Sequence, residues 1–146
     1  MGAVASGGVR VLNQDVTRQL GITEVEIARV AAAEQKEIQR RERAYRRERP
    51  EPAVENRTVI LVDDGLATGA TMRAAAVALR AQHPERIVVA VPVAAPDICE
   101  ALRDEVDEVV CALTPEPFRA ISLWYRDFEQ TTDEEVRQLL GQGGSG

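Results

Sequence analysis

TVILVDDGLATGATMRAAAVALR, Thr58–Arg80, is the stretch on which the fold turns. Thr58 to Val62 is a near-continuous apolar run, the pattern expected of a strand buried on both faces. Asp63 and Asp64 end it, a loop of small residues follows, and the alanine-rich stretch from Thr71 to Gln82 reads as a helix. Arg86 to Val93 is a second apolar run. The unit then repeats, with Pro96 where a helix begins, a helix over Asp97 to Val106, and a third strand from Glu108 to Leu113 that stops at Thr114 and Pro115. Strands alternating with helices predict an α/β fold, a parallel sheet flanked by helices, with its ligand site beyond the carboxyl ends of the strands.

Upstream of this core, residues 1–50 read as a hood-like segment. Gly2 to Val16 alternates glycine with β-branched residues around Ser6, Gly7 and Gly8, which predicts a small hairpin. Thr23 followed by Glu26 is a capping-box pattern, and no Gly or Pro interrupts the chain from Glu24 to about Glu48, so one long helix is expected there. The second half of that helix is crowded with arginines, Arg40, Arg41, Arg43, Arg46, Arg47 and Arg49. Downstream, Phe118 to Leu140 gathers most of the aromatics and closes with a helix capped near Thr132. Residues 51–140 make up the α/β core, and 141–146, GQGGSG, read as a flexible tail.

Composition narrows the function classes. The 146 residues suit one domain, with 45% hydrophobic and 29% charged residues as in a soluble globular protein. No apolar run approaches the roughly 18 residues of a membrane span, and the N-terminus lacks the pattern of a secretory signal, so a cytoplasmic location is expected. Cys99 and Cys111 have neither zinc-site spacing nor the density of a disulfide framework and are expected to be separate buried thiols. A net charge of -6 argues against general affinity for nucleic acid.

The chemistry converges on the end of the first core strand. The loop Gly65, Leu66, Ala67, Thr68, Gly69, Ala70, Thr71 offers backbone N–H groups, two hydroxyls and the positive end of a helix dipole, which together suit a phosphate. Asp63 and Asp64 are acceptor-only groups when ionised, and a vicinal diol presents two O–H donors, so the pair reads as a grip on a ribose attached to that phosphate. Ala70 stands where a Walker loop needs lysine, and no G-x-G-x-x-G follows a strand, which excludes both commoner phosphate motifs.

VILVDDGLATGATM resembles the phosphoribosyl pyrophosphate signature of type I phosphoribosyltransferases: apolar strand, two acidic residues, then T-G-x-T. IVVAVPVAAPD and LWYRDFEQTTDEEV are similar to the group of predicted bacterial members of that family whose acceptor is not established. The resemblance implies that Asp63 and Asp64 hold the ribose hydroxyls as the catalytic pair, and that the loop binds the donor's 5-phosphate. Magnesium arrives with the pyrophosphate, and the phosphoribosyl group passes to a nitrogenous base. It also implies an aromatic after the third strand to stack on that base, for which Trp124 and Tyr125 are the candidates; the alternative for either is to fill the core.

Other residues have weaker claims. Asp127 is read as capping a turn, the arginine stretch and Lys36 as a solvated charged helix, and His83 as an exposed loop residue. The family's pyrophosphate loop, with an arginine and paired glycines, normally precedes the segment matching Gly2. SGGVR at Ser6–Arg10 has similar residues in different surroundings and is not assigned that role. A sheet without that region's strand would expose edges and apolar faces, so a homo-oligomer or a piece of a longer protein is expected. The alternative to an enzyme is a noncatalytic module that binds ribose phosphate without turnover. A third reading is an RNA contact through the arginine helix.

Overall fold

The structure, a computed structural model, describes residues 2–5, 10–12, 21–46 and 52–142. In chain order the elements are β1 (Gly2–Val4), β2 (Arg10–Leu12), α1 (Glu24–Arg46), β3 (Thr58–Val62), α2 (Ala70–Arg80), β4 (Arg86–Val93), α3 (Pro96–Leu102), β5 (Glu108–Leu113), a 3-10 turn (Ile121–Trp124) and α4 (Asp133–Gln142). β3, β4 and β5 form a parallel sheet in that order, with Val59 opposite Ile87 and Val91 opposite Cys111. The three strands coincide residue for residue with the three apolar runs. β1 and β2 pair antiparallel, with Gly2 opposite Leu12; the turn expected around Ser6 to Gly8 lies outside the described residues.

β4 is central because, among the described strands of this sheet, it alone pairs on both sides, and its sequence suits that place. Ile87, Val89, Val91 and Val93 point to one face and are buried, with Ile87 and Val89 fully so. Met72 and Ala76 of α2 and Cys99 and Leu102 of α3 close over that face and complete the core. The hairpin packs against α2, while α1 touches β1 and α4.

The opposite face of the sheet carries exposed apolar side chains. Ile60 and Val62 on β3 are 61% and 73% exposed, and Val110 on β5 is 46% exposed. The expectation that Thr58–Val62 is buried on both faces is therefore corrected. Residues along β3 alternate between exposed and half-buried, and among the described strands of this sheet it pairs on one side only. An apolar run cannot distinguish that position from a central one.

Local chemistry sets the helix ends. Thr23 and Glu26 form the expected capping box, with the Glu26 carboxylate accepting from the Thr23 N–H at 2.9 Å and the Thr23 hydroxyl accepting from the Glu26 N–H at 3.3 Å. Thr132 and Glu135 repeat it at the start of α4, at 2.7 and 3.3 Å. Helices α1 and α4 are joined by Arg40 to Asp133 at 2.6 Å and by the Tyr45 hydroxyl to the same carboxylate at 2.6 Å. Those donors hold the Asp133 carboxyl down at about 2. α3 is shorter than the helix expected over Asp97–Val106. After Leu102 the chain turns so that Asp107 accepts from the Ile87 N–H through its carboxylate at 2.7 Å and donates its own N–H to the Ile87 carbonyl at 3.0 Å.

Cys99 and Cys111 are joined in a disulfide with their Cα atoms 6.6 Å apart, which corrects the expectation of two separate thiols. The reason is the fold: α3 lies against β5, and the two side chains meet inside the core. No helix among the described residues is long and apolar enough to cross a membrane.

Candidate functional site

The acidic pair leaves the end of β3 as a tight turn. Asp63 Oδ1 accepts from the Asp64 N–H at 2.9 Å, which commits one oxygen of Asp63 to the backbone and leaves the Asp64 carboxylate exposed. Burial pushes the Asp63 carboxyl above its ordinary range, the Asp64 N–H partly offsets this, and the Asp64 charge adds to the rise. Asp63 therefore takes its charge at a higher pH than a free carboxyl does.

Gly65 and Leu66 anchor the loop from beneath. Leu66 donates its N–H to the Val93 carbonyl at 3.0 Å and accepts from the Ala95 N–H at 3.0 Å, an isolated parallel bridge beyond the last rung of the β3–β4 ladder. Its side chain is buried in the core. Leu66 thus belongs to the frame of the loop, and its N–H is already spent. Ala67, Thr68 and Thr71 are exposed along the lip.

Gly69 makes the turn into α2. It is the N-cap, at φ 67° and ψ 1°, a left-handed conformation that costs glycine little and other residues more. Its carbonyl accepts from the Arg73 N–H at 2.9 Å, the first bond of the helix. Gly69 has no side chain to cap this end, and the neighbouring Thr68 Oγ1 accepts a long hydrogen bond from the Ala70 N–H, at 3.5 Å. The first-turn amides of α2 therefore face outward beside the Thr68 and Thr71 hydroxyls, with the dipole's positive end behind them. Helix-start amides of this kind suit an anion, and carboxylates suit hydroxyl donors.

The segment after β5 folds back onto this turn. The Tyr125 hydroxyl donates to the Asp64 carbonyl at 2.5 Å, and the Tyr125 ring leans on Phe128 with centroids 5.1 Å apart. Trp124 is 44% exposed. The structure thus brings Tyr125 to the acidic turn by its hydroxyl, a contact 61 residues long that no local pattern announces. Asp127 caps a local turn, accepting from the Glu129 N–H at 3.2 Å, as read from the sequence. Ile121, not singled out in the sequence, packs its side chain over Gly65.

The remaining candidates stand apart from the loop in their contacts. Arg40 and Arg41 both pair with Glu37 at 2.8 Å, and Arg40 also pairs with Asp133. Arg47 and Arg49 lie outside the described residues. Lys36, Gln39, Arg40, Arg43 and Ala44 line a shallow depression of about 510 Å³ along α1, to which no loop residue contributes. His83 is exposed in the turn before β4. No group of three or more His, Cys, Asp or Glu side chains that could hold a metal is found among the described residues. Two carboxylates beside a phosphate cradle do fit magnesium that brings its own phosphate ligands, since that ion is commonly held by one or two carboxylates plus substrate oxygens.

Residues 3–120 match the family model described as a phosphoribosyl transferase domain. Two proteins from strains of Mycobacterium tuberculosis, each named "Putative phosphoribosyl transferase", are 44% identical to the chain over 142 residues. The match takes in 95% of this chain and 31% of each of theirs, so the chain spans about a third of the length of these curated relatives. Among solved structures, the crystal structure of TT1426 from Thermus thermophilus superposes with a TM-score of 0.75 at 41% identity. That likeness covers 97% of this chain and 66% of that one.

Proposed function

The chain belongs to the phosphoribosyl transferase domain family, and from that premise we propose that it binds phosphoribosyl pyrophosphate with magnesium and transfers the phosphoribosyl group to a purine or pyrimidine base. The observation that carries this reading is the adjacency of two unlike receptors: carboxylates at Asp63 and Asp64, then an uncapped helix start with the Thr68 and Thr71 hydroxyls. A ribose 5-phosphate is a diol at one end and a dianion at the other, and it needs both.

Each residue has a separate task in this reaction. The amides of the first turn of α2 and the two threonine hydroxyls receive the 5-phosphate. Asp64, exposed, and the free oxygen of Asp63 accept from the two ribose hydroxyls and lie close to the positive charge that develops at C1 as the leaving group departs. Magnesium, when bound, neutralises the departing pyrophosphate. Trp124 offers an exposed ring for the acceptor base, and Tyr125 is braced beside it.

Calorimetric titration of the wild-type chain with phosphoribosyl pyrophosphate, ribose 5-phosphate and pyrophosphate tests the reading. Binding of the first two is expected, along with release of pyrophosphate once a base is added. Ribose 5-phosphate binding with no turnover on any base would favour a noncatalytic module. No binding of either sugar phosphate would end the reading altogether.

The exposed side chains of the sheet bear on assembly. Ile60 and Val62 on β3 and Val110 on β5 leave an exposed apolar face on the sheet, and among the described strands β3 is unpaired on its other side, the kind of surface that association covers. We propose that a second copy of the chain packs on it. Light scattering after size exclusion is expected to give twice the chain mass, and Ile60→Lys to return it to the monomer. A monomeric wild type would overturn the assignment.

A further inference from the structure

The Asp63–Asp64 turn has a mechanical weakness. Two like charges stand side by side on a connection that continues into glycine, and nothing in β3 alone would stop the turn from rotating to separate them. The structure supplies the restraint from a distant part of the chain. Asp64 is held at both of its backbone polar groups: its N–H donates to Asp63 Oδ1 at 2.9 Å, and its carbonyl accepts from the Tyr125 hydroxyl at 2.5 Å. The peptide that follows is met by the same segment of chain. A Cβ at Gly65 would lie 2.9 Å from Ile121 Cγ2 and 3.0 Å from Ile121 Cγ1, so the Ile121 side chain seats directly against the glycine backbone. Ile121 and Tyr125 belong to one short segment, closed on itself by the Tyr125 N–H donating to the Ser122 carbonyl at 3.3 Å and braced by the Phe128 ring.

We propose that Tyr125 is a positioning residue that fixes the Asp63–Asp64 turn, so that the segment carrying Trp124 and the acidic pair form one preorganised unit. This rests on the reading of that pair as the ribose grip. The hydroxyl is suited to the task. Burial, together with the negative charges of Asp64 and Asp63, raises the Tyr125 pKa above its ordinary value, so the group stays a protonated donor throughout the neutral range. A ring that only stacked on a base would not need its oxygen. A ring that holds the turn needs the oxygen above all.

The test compares wild type, Tyr125→Phe and Asp64→Asn by two measurements on the full chain. Tyr125→Phe keeps the ring and its contact with Phe128 and removes only the donor. In the free protein, amide hydrogen exchange at Asp64, whose N–H is bonded to Asp63 Oδ1, is expected to quicken by about 10-fold as the turn loosens, the order of one lost hydrogen bond. In titrations, ribose 5-phosphate is expected to bind about 10-fold more weakly to Tyr125→Phe, while inorganic phosphate, held by the α2 amides, binds as before. A general structural defect would weaken both ligands together. Unchanged exchange, or faster exchange with unchanged ribose 5-phosphate affinity, overturns the role of Tyr125 while leaving the ribose grip intact if Asp64→Asn still loses binding. If wild type binds no ribose 5-phosphate, the ribose grip fails and the proposal falls with it. Should Tyr125→Phe not fold, Tyr125→Leu, which also removes the donor and keeps an apolar side chain, is put through the same two measurements and read in the same way.

Discussion

Asp64→Asn is expected to weaken ribose 5-phosphate binding by one to two orders of magnitude, with the fold unchanged. Asp64 is exposed at the end of β3, and its carboxylate oxygens have no hydrogen-bond partner among the described residues, so the substitution disturbs no packing. An ionised acceptor bonded to a hydroxyl contributes about 1.5–3 kcal/mol, and an amide replaces one of its two acceptors with a donor that faces the diol's own donors. At about 1.4 kcal/mol per decade, that loss corresponds to roughly 10- to 150-fold in affinity. Inorganic phosphate, which lacks the diol, should bind both proteins equally. The neighbouring Asp63→Asn behaves differently: asparagine still offers an oxygen to the Asp64 N–H, so the turn persists and only the charge is lost. Equal ribose 5-phosphate affinity in wild type and Asp64→Asn would show that the sugar does not sit on this carboxylate.

Gly69→Ala is expected to be the most destabilising single methyl in the site. Gly69 stands at φ 67°, where an L-residue costs about 1–2 kcal/mol. The added Cβ would also lie 2.8 Å from Ile98 Cγ2, a branch methyl fixed close to the backbone of α3. Relieving that overlap costs about a further 1–3 kcal/mol by analogy with overpacked cores. The sum, about 2–5 kcal/mol, is a large part of the margin of an ordinary domain. Urea unfolding followed by far-ultraviolet circular dichroism should show a lower midpoint with an unchanged slope. Adding Ile98→Ala to Gly69→Ala removes the overlap but not the backbone cost, at the expense of a new cavity. A Gly69→Ala midpoint equal to that of wild type would refute the left-handed cap.

The strands were legible because each apolar run meets a charge or a proline within three residues of its end, and Thr58–Val62, Arg86–Val93 and Glu108–Leu113 keep those bounds in the structure. The Thr23–Glu26 capping box and the cap near Thr132 were legible because their chemistry is local, three residues apart. The loop that joins β3 to α2 was legible for the same reason. What the sequence concealed depends on which elements meet. An apolar run has no mark that distinguishes β3, paired on one side among the described strands, from the central β4, so the exposed Ile60 and Val62 were not foreseen in their place. Cys99 and Cys111 pair because α3 lies on β5, which spacing along the chain does not encode. Tyr125 was singled out as an aromatic ring, but its hydroxyl serves a carbonyl 61 residues upstream, and only the folded chain reveals that.

The bridge between Leu66 and Ala94 governs how far this motif can be moved between proteins. Because Leu66 bonds to both Val93 and Ala95, the loop is registered against the exit of the neighbouring strand as well as against its own. A block from Val59 to Met72 grafted onto a foreign sheet would arrive without its docking partner and lose its shape. A working transplant must carry the end of β4 with it, and an insertion between Asp64 and Leu66 would shift the carboxylates out of step with the helix that completes the site. The transferable unit is a pair of adjacent strand ends.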